Sequence, residues 1–537
     1  MTAAPEIVGF DLVVGLEVHV ELATRTKMFT RAPSPASLES HEAEPNTFID
    51  PVVLALPGSL PVMNRSAVEM AMMVGVALNC AIARETKWDR KGYFYPDLPK
   101  AYQISQYDLP ICFDGALELP AVDEKGFPDL SREPRRIGIM RAHLEEDAGK
   151  LLHEAPGGHA IDFSIVDLNR AGTPLLEIVT QPDFRSADEV VLFAKMLRTI
   201  CRFLRVTPGV MQKGHMRFEP NINGILTLAD GQTVTTPIVE VKNLNSFKAL
   251  KAAIEFEARE QPRRWLLDRR VLGKGTKTTR GWDDAKGCTF VQREKEDAHD
   301  YRYFPDPDLV PVIVDDEWKA RVSGRVPELP MARFKRYVRD YGLGVMEASA
   351  LIDERDTCEM YESCIEALAG LGVDRPRAGK LAANWLLGAG LRLANERHSS
   401  LAGLDISASE VAAVAKLRED GRLNNQSADE LFGLLCDEAK APHAASAPPG
   451  AVLARVEEVA RSRGWLIVRD DAAMEKWIDQ VLAVNDRVAD DVRAGKVQAA
   501  GRLVGEVMKL AAGRADAKSV RALILKKLGQ GEGPGAG

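Results

Sequence analysis

The polar residues best spaced for chemistry lie on short alternating segments. In "LVVGLEVHVEL" the even positions Leu12, Val14, Leu16, Val18, Val20 and Leu22 are apolar, with Glu17, His19 and Glu21 between them. Alternate side chains of a strand share a face and stand about 6.5–7 Å apart, so an imidazole is set between two carboxylates. That row suits a cation, and it equally suits a solvated sheet face. "GHMRFEPNIN" repeats the pattern, with Arg217, Glu219, Asn221 and Asn223 opposite Met216, Phe218, Pro220 and Ile222. Arginine forks onto phosphate, while glutamate and asparagine offer hard oxygens to a metal. Pro220 removes a ladder donor, which predicts an edge or bulged strand. In "TPLLEIVT", Glu177 interrupts an apolar run and needs a partner there. That partner is either a salt bridge to Arg170 or Arg185, or a metal approached from the core side. In "RAHLEEDAGK", alternation puts Arg141, His143, Glu145 and Asp147 on one face. Glu146 shares the other, inward face with Met140, Ala142 and Leu144, where a lone carboxylate most needs a cation; Glu145 and Asp147 read as supporting or phosphate-side groups.

The elements that must position these residues predict an α+β fold. A chain of 537 residues exceeds one ordinary core. Residues 1–315 alternate in strand fashion with interspersed helices, "EVVLFAKMLRTICRFL" having helical periodicity. This predicts a large β-rich domain, followed by a helical domain over 316–428 and a small all-helical tail domain over 429–530. The stretch "CDEAKAPHAASAPPG" reads as a loop or linker, and residues 531–537 as a disordered end.

Composition removes several classes of function. Seven dispersed cysteines without a C-x-x-C pair fit reduced thiols in a cytoplasmic protein. There is no apolar run long enough to span a membrane and no basic leader. The net charge of −8 disfavours a general nucleic-acid binder. Residues 493–530, however, carry nine basic side chains against Glu506 and Asp516, a local +7 suited to a polyanion or to a solvated helical face. No P-loop, kinase H-R-D or strand-bound G-x-G-x-x-G occurs, and no G-x-S-x-G nucleophile. Any nucleotide is held by another device, and hydrolytic chemistry has no visible home in this chain.

The blocks "VGLEVHVELATRTKMF", "LALPGSLPVMN", "DRKGYFYPDLPKAYQISQYDLPI", "HLEEDAGK", "VDLNRAGTPLLEIVTQPDFRS", "EVKNLNSF" and "DAHDYRYFPDPDLVP" stand in order. Together they closely resemble the B subunit of the aspartyl/glutamyl-tRNA amidotransferases. The resemblance covers nearly the whole chain, and the basic C-terminal segment resembles that family's tRNA-binding tail. It implies a cradle domain carrying an ATP/Mg2+ kinase site, which phosphorylates the side-chain carboxylate of mischarged Glu-tRNA(Gln) or Asp-tRNA(Asn). Ammonia from an amidase partner then displaces the phosphate, and a small third subunit holds the two together. Carried onto this chain, the metal cluster falls on Glu17, His19 and Glu146, with Glu177 and Glu219 as further catalytic acids. Arg217, Lys91 and Lys150 become phosphate contacts, and Arg502, Lys509, Arg514 and Lys518 become tRNA contacts.

The chain departs from the family in places. The segment "FTRAPSPASLESHEAEPNTFIDPVVLALPG" lacks the cysteines that many relatives carry, so no structural zinc is expected. Gln212 and Lys213 stand where acids are usual, and Glu219 where Asp is usual. A scaffold that presents tRNA with degenerate kinase chemistry is the competing reading, and joint retention of Glu17, His19, Glu146, Glu177 and Glu219 argues against it.

Overall fold

The computed structural model describes residues 6–37, 43–155, 158–294, 301–437, 447–467, 471–511 and 514–529. The expected disordered end at 531–537 and most of the expected linker lie outside them. The chain forms two compact units, Met1–Ala332 and Arg333–Gly537.

The first unit is built on one large sheet. Its site-bearing strands are β1 (Ile7–Glu21), β2 (Asp89–Gly92), β3 (Tyr102–Ser105), β4 (Cys112–Leu119), β5 (Arg135–Glu146), β6 (Pro174–Thr180), β7 (Met216–Leu228), β8 (Val239–Lys242) and β9 (Thr278–Asp283). Their spatial order is β9-β8-β7-β1-β6-β5-β3-β2, with β4 on the outer length of β5. All these pairings are antiparallel except β8 with β9.

The even positions of β1 explain the layering. Val14, Leu16, Val18, Val20 and Leu22 are buried with Leu144, Leu176, Ile178 and Phe218 of the neighbouring strands. Three helices cover that face: α1 (Arg65–Ala77), α2 (Ala187–Phe203) and α3 (Phe247–Asp268). Each begins at a polar cap that satisfies free backbone N–H groups. Asn64 accepts from Ser66 N at 2.9 Å, Ser186 from Glu189 N at 3.2 Å and Ser246 from Ala249 N at 3.0 Å. With the helices on one side, the polar residues of the same strands are gathered on the other.

Two expectations about this region change. β7 is not an edge: it pairs with β1 along its length, and β8 joins its other side at Asn221 and Ile222. Pro220 is tolerated because β8 meets the strand just past the residue that lacks a ladder N–H. The first unit also extends past residue 315. Helix α4 (Asp316–Ser323) packs on α1, burying Val322, and Trp318 Nε1 donates to Glu69 at 2.9 Å.

The second unit is helical throughout its described residues. The expected cut at 428/429 falls inside one packed set. Helix Pro449–Ser462 packs on Ala408–Glu419 and Arg355–Gly370, with Arg455 paired to Glu410. A separate cluster around Ile478, Val492, Leu503, Val507, Val520 and Ile524 forms the core of the last helices. No helix among the described residues is long and apolar enough to cross a membrane.

Candidate active site

Register brings the polar residues together. His143 of β5, Glu177 of β6, His19 of β1 and Arg217 of β7 are successive cross-strand partners, forming one row over four strands. The next row holds Arg141, Val179, Glu17 and Glu219, and on the other side Glu145 and Glu21 flank Leu175. Directly opposite side chains stand about 4.5–5.5 Å apart at Cβ, so the rows bring these polar groups onto one face, interrupted by Val179 and Leu175.

Glu177 is the shared carboxylate of that surface. Its Oε2 lies 3.5 Å from His19 Nε2 and 3.6 Å from His143 Nε2. It therefore faces the polar side, not the core, and its partners are imidazoles rather than Arg170 or Arg185. Burial alone would raise its pKa; the imidazoles and the Lys91 ammonium outweigh burial and hold Glu177 well below the usual carboxylate range. Burial opposes the charge on His19 too, but Glu177 and Glu219 raise it to about 9. His143 gains less from Glu177, and burial drives it down to about 4. The carboxylates thus favour the charged form of His19, while burial disfavours it at His143.

Two groups of side chains can close on a cation among the described residues. Ligand atoms of His19, Glu145 and Glu177 lie within 4.8 Å of one another, as do those of Glu17, Glu219 and Glu240. In the second group Lys242 already supplies positive charge, 2.6 Å from Glu219 and 3.0 Å from Glu240. Asn221 Nδ2 donates to Glu17 at 2.8 Å, which leaves its buried Oδ1 without a hydrogen bond. His19 stands between the groups, with Nδ1 3.8 Å from Glu219 and without a hydrogen bond. A carboxylate-rich set with one imidazole fits a hard divalent ion, and also Mn2+.

Glu146 is not in either group. It lies on the inward face, as alternation predicted, but Glu17 and His19 lie on the opposite face. Its carboxylate pairs with Lys100 and accepts from Ile104 N at 3.1 Å. The cation it needs is a lysine, and Glu145 takes the place assigned to it beside His19. The register of β5 against β6 decides this, and the segment's own sequence does not contain that register.

The other expected residues are placed as follows. Arg217 Nη2 donates to Asp147 Oδ2 at 2.8 Å, and Arg170 lies 3.5 Å from the same carboxylate. Lys91 projects from β2 on the polar side, where the charge of Glu145 outbids burial and raises its pKa. Lys150 is exposed and lines a small polar cavity with Glu21, Arg170 and Lys213. Burial and the charge of Asp147 push Glu21 up to about 8. In the tail, Arg502, Lys509 and Lys518 are exposed, while Arg514 is half-buried and donates to Ala511 O at 3.1 Å.

Sequence reasoning gave His143 only a place on the polar face of its strand, and missed Glu240, Lys242 and Lys27. The alternation of "VEVK" carried a signal for Glu240 and Lys242. Lys27 gave none: its fully buried ammonium donates to Phe48 O at 2.6 Å and Leu168 O at 3.3 Å, tying two loops together.

The sheet that carries this acid–imidazole face falls within a match to a GatB/GatE-type catalytic domain. Residues 12–320 match the GatB/GatE catalytic domain, and residues 365–528 match the GatB domain. The chain is 42% identical to the B subunit of the aspartyl/glutamyl-tRNA(Asn/Gln) amidotransferase of Janthinobacterium sp. (strain Marseille), over 97% of this chain and 99% of the relative. It is 40% identical to that of Rhodopirellula baltica over 93% of each chain, and 38% identical to that of Caldicellulosiruptor saccharolyticus over 97% and 99%. The chain belongs to the family of aspartyl/glutamyl-tRNA(Asn/Gln) amidotransferase B subunits, which are parts of a ligase.

Proposed function

We propose that this chain works in the cytoplasm with two partner subunits, an amidase and a small protein that holds the pair together. The assembly converts mischarged Glu-tRNA(Gln) or Asp-tRNA(Asn) to the amide. A side-chain carboxylate oxygen of the substrate bonds the γ-phosphorus of ATP and ADP leaves. Ammonia then bonds the acyl carbon and phosphate leaves. The observation that carries the reading is the His19–Glu145–Glu177 group on the polar face of the sheet. These three residues, rather than Glu17, His19 and Glu146, would hold Mg2+. When bound, the ion supplies neutralisation of phosphate oxygens, the main requirement of phosphoryl transfer between anions.

The chain's own residues do the rest. Lys91 and Arg217 offer cationic contacts at the two sides of the row, with Lys150 farther out. Glu219 and Glu17 lie one row away and are suited to a second cation or to substrate positioning. Arg502, Lys509, Arg514 and Lys518 give the tail a basic surface for tRNA. The test is ATP-dependent amidation of mischarged tRNA by the assembled heterotrimer. Glu145→Gln and Glu177→Gln are expected to abolish conversion while glutamine hydrolysis by the amidase persists. Full conversion by both variants would overturn the assignment of this face as the kinase site and favour a scaffold role for it.

A further inference from the structure

We propose that a run of aromatic rings beside Lys91 is a stacking platform for the unpaired 3′-terminal nucleotides of the tRNA; this rests on the reading of an aminoacyl-tRNA substrate above. Five tyrosines form a continuous chain. Tyr95 and Tyr93 meet at 6.1 Å between centroids, Tyr93 and Tyr301 at 6.1 Å, and Tyr301 and Tyr303 at 6.1 Å. Tyr303 then stacks on Tyr107 at 4.0 Å with the planes 12° apart. The Lys91 ammonium lies 5.3 Å from the Tyr301 ring, so the middle of the chain borders the site.

The platform is anchored to the strands that carry the site. Tyr93 follows β2 directly, and its hydroxyl donates to Gln103 Oε1 at 3.1 Å. Gln103 Nε2 in turn donates to the backbone oxygen of Glu146 at 2.7 Å. Its ends, by contrast, are open: Tyr95 and Tyr107 are each 58% exposed, and Phe94 between Tyr93 and Tyr95 is 85% exposed. Contiguous exposed aromatics of this kind mark an interaction surface.

The occupant follows from shape and charge. Open rings at the two ends of the run suit bases of a single strand, which stack on aromatic faces without sequence readout. A free mononucleotide is instead held in a concave pocket that buries most of its surface. Arg302, between Tyr301 and Tyr303, is exposed on the same segment. Beside the outer ring, Lys87 bridges Asp108 at 2.7 Å and Asp89 at 2.5 Å, which partly offsets the acids there. An aminoacyl ester at the end of a strand laid on these rings would meet Lys91 and the acid–imidazole face.

The test uses the assembled heterotrimer and tRNA carrying 2-aminopurine at its 3′ end, whose fluorescence is quenched by stacking. Quenching on binding is expected with the wild-type chain and with Tyr107→Phe, and its loss with Phe94→Ala combined with Tyr107→Ala. The same pair is expected to raise KM for mischarged tRNA by about tenfold or more, with KM for ATP unchanged. Quenching that persists in the double variant, or is absent in the wild type, overturns the proposal. A rise in KM for ATP with no change for tRNA also overturns it, because the rings then hold the adenine of ATP. If the wild type consumes no ATP on mischarged tRNA, the kinase reading fails, while quenching still decides the platform.

Discussion

Glu145 and Glu146 are neighbours in the chain and lie on opposite faces of one sheet, Glu145 beside His19 and Glu177, Glu146 paired with Lys100. The two carboxylates are therefore expected to separate in function. In metal-stripped protein, Glu145→Gln is expected to weaken Mn2+ binding about tenfold or more, since charged ligand count sets divalent affinity. Glu146→Gln is expected to leave Mn2+ affinity unchanged and to cost about 3 kcal/mol, because it strands the Lys100 ammonium. Calorimetric titration and urea unfolding of the protein measure the two effects.

Glu177 holds His19 in its charged form. Replacing it with Gln removes the largest interaction opposing burial. The His19 pKa is then expected to fall from about 9 toward or below the ordinary imidazole value. NMR titration of the ring protons in metal-free protein reads the shift, and an unmoved pKa would place the stabilising charge elsewhere.

Lys27 links stability to alkaline pH. Burial lowers its pKa from 10.5 to about 8, against the pull of Asp50, Glu146 and Asp167. Between about pH 8 and 10.5 the folded chain binds fewer protons than the unfolded chain, so this residue's contribution to stability rises with pH. The rise amounts to about 3 kcal/mol across the window. Relative to Lys27→Met, the wild type should gain stability by that amount in denaturant melts from pH 8 to 10.5, with no such gain below it.

Gly149 of "HLEEDAGK" is required by close backbone approach. A Cβ there would lie 2.7 Å from Asp167 O and 3.1 Å from Asp97 O, neither of which is a movable side-chain tip. Gly149→Ala is expected to destabilise the first unit by about 1–3 kcal/mol, seen as a lower Tm in a thermal melt.

The tail can be removed cleanly only at the right place. Ending the chain at residue 470 is expected to leave the remaining helices folded and to lower tRNA affinity, with most of the loss appearing at low salt, where phosphate contacts are strongest. Ending it at 429 also removes helix Pro449–Ser462 from its packing on Ala408–Glu419, so a destabilised product is expected by circular dichroism. Filter binding across a salt series distinguishes a lost tRNA surface from a lost fold.

Much of this protein is written in local pattern. Alternation in β1 set Val14, Leu16, Val18 and Val20 against Glu17, His19 and Glu21, because a strand's side-chain period is two regardless of context. The same rule assigned the opposite faces of β7, and helical spacing found α2. The ordered motif blocks carried the family. What sequence did not decide is which residue lies across from which. Glu177 looked like an acid in a core because its neighbours are apolar, yet the polarity of its own face is supplied by β1 and β5. Glu146 looked like a metal ligand because its own face is apolar, and the lysine that answers it is supplied by a distant segment. Pro220 looked like an edge marker, and β8 meets its strand one residue beyond it. Strand alternation is fixed by covalent geometry, so the sequence determines which side chains share a face. Partners across a sheet are fixed by register between segments far apart in the chain, and only the tertiary structure sets that register.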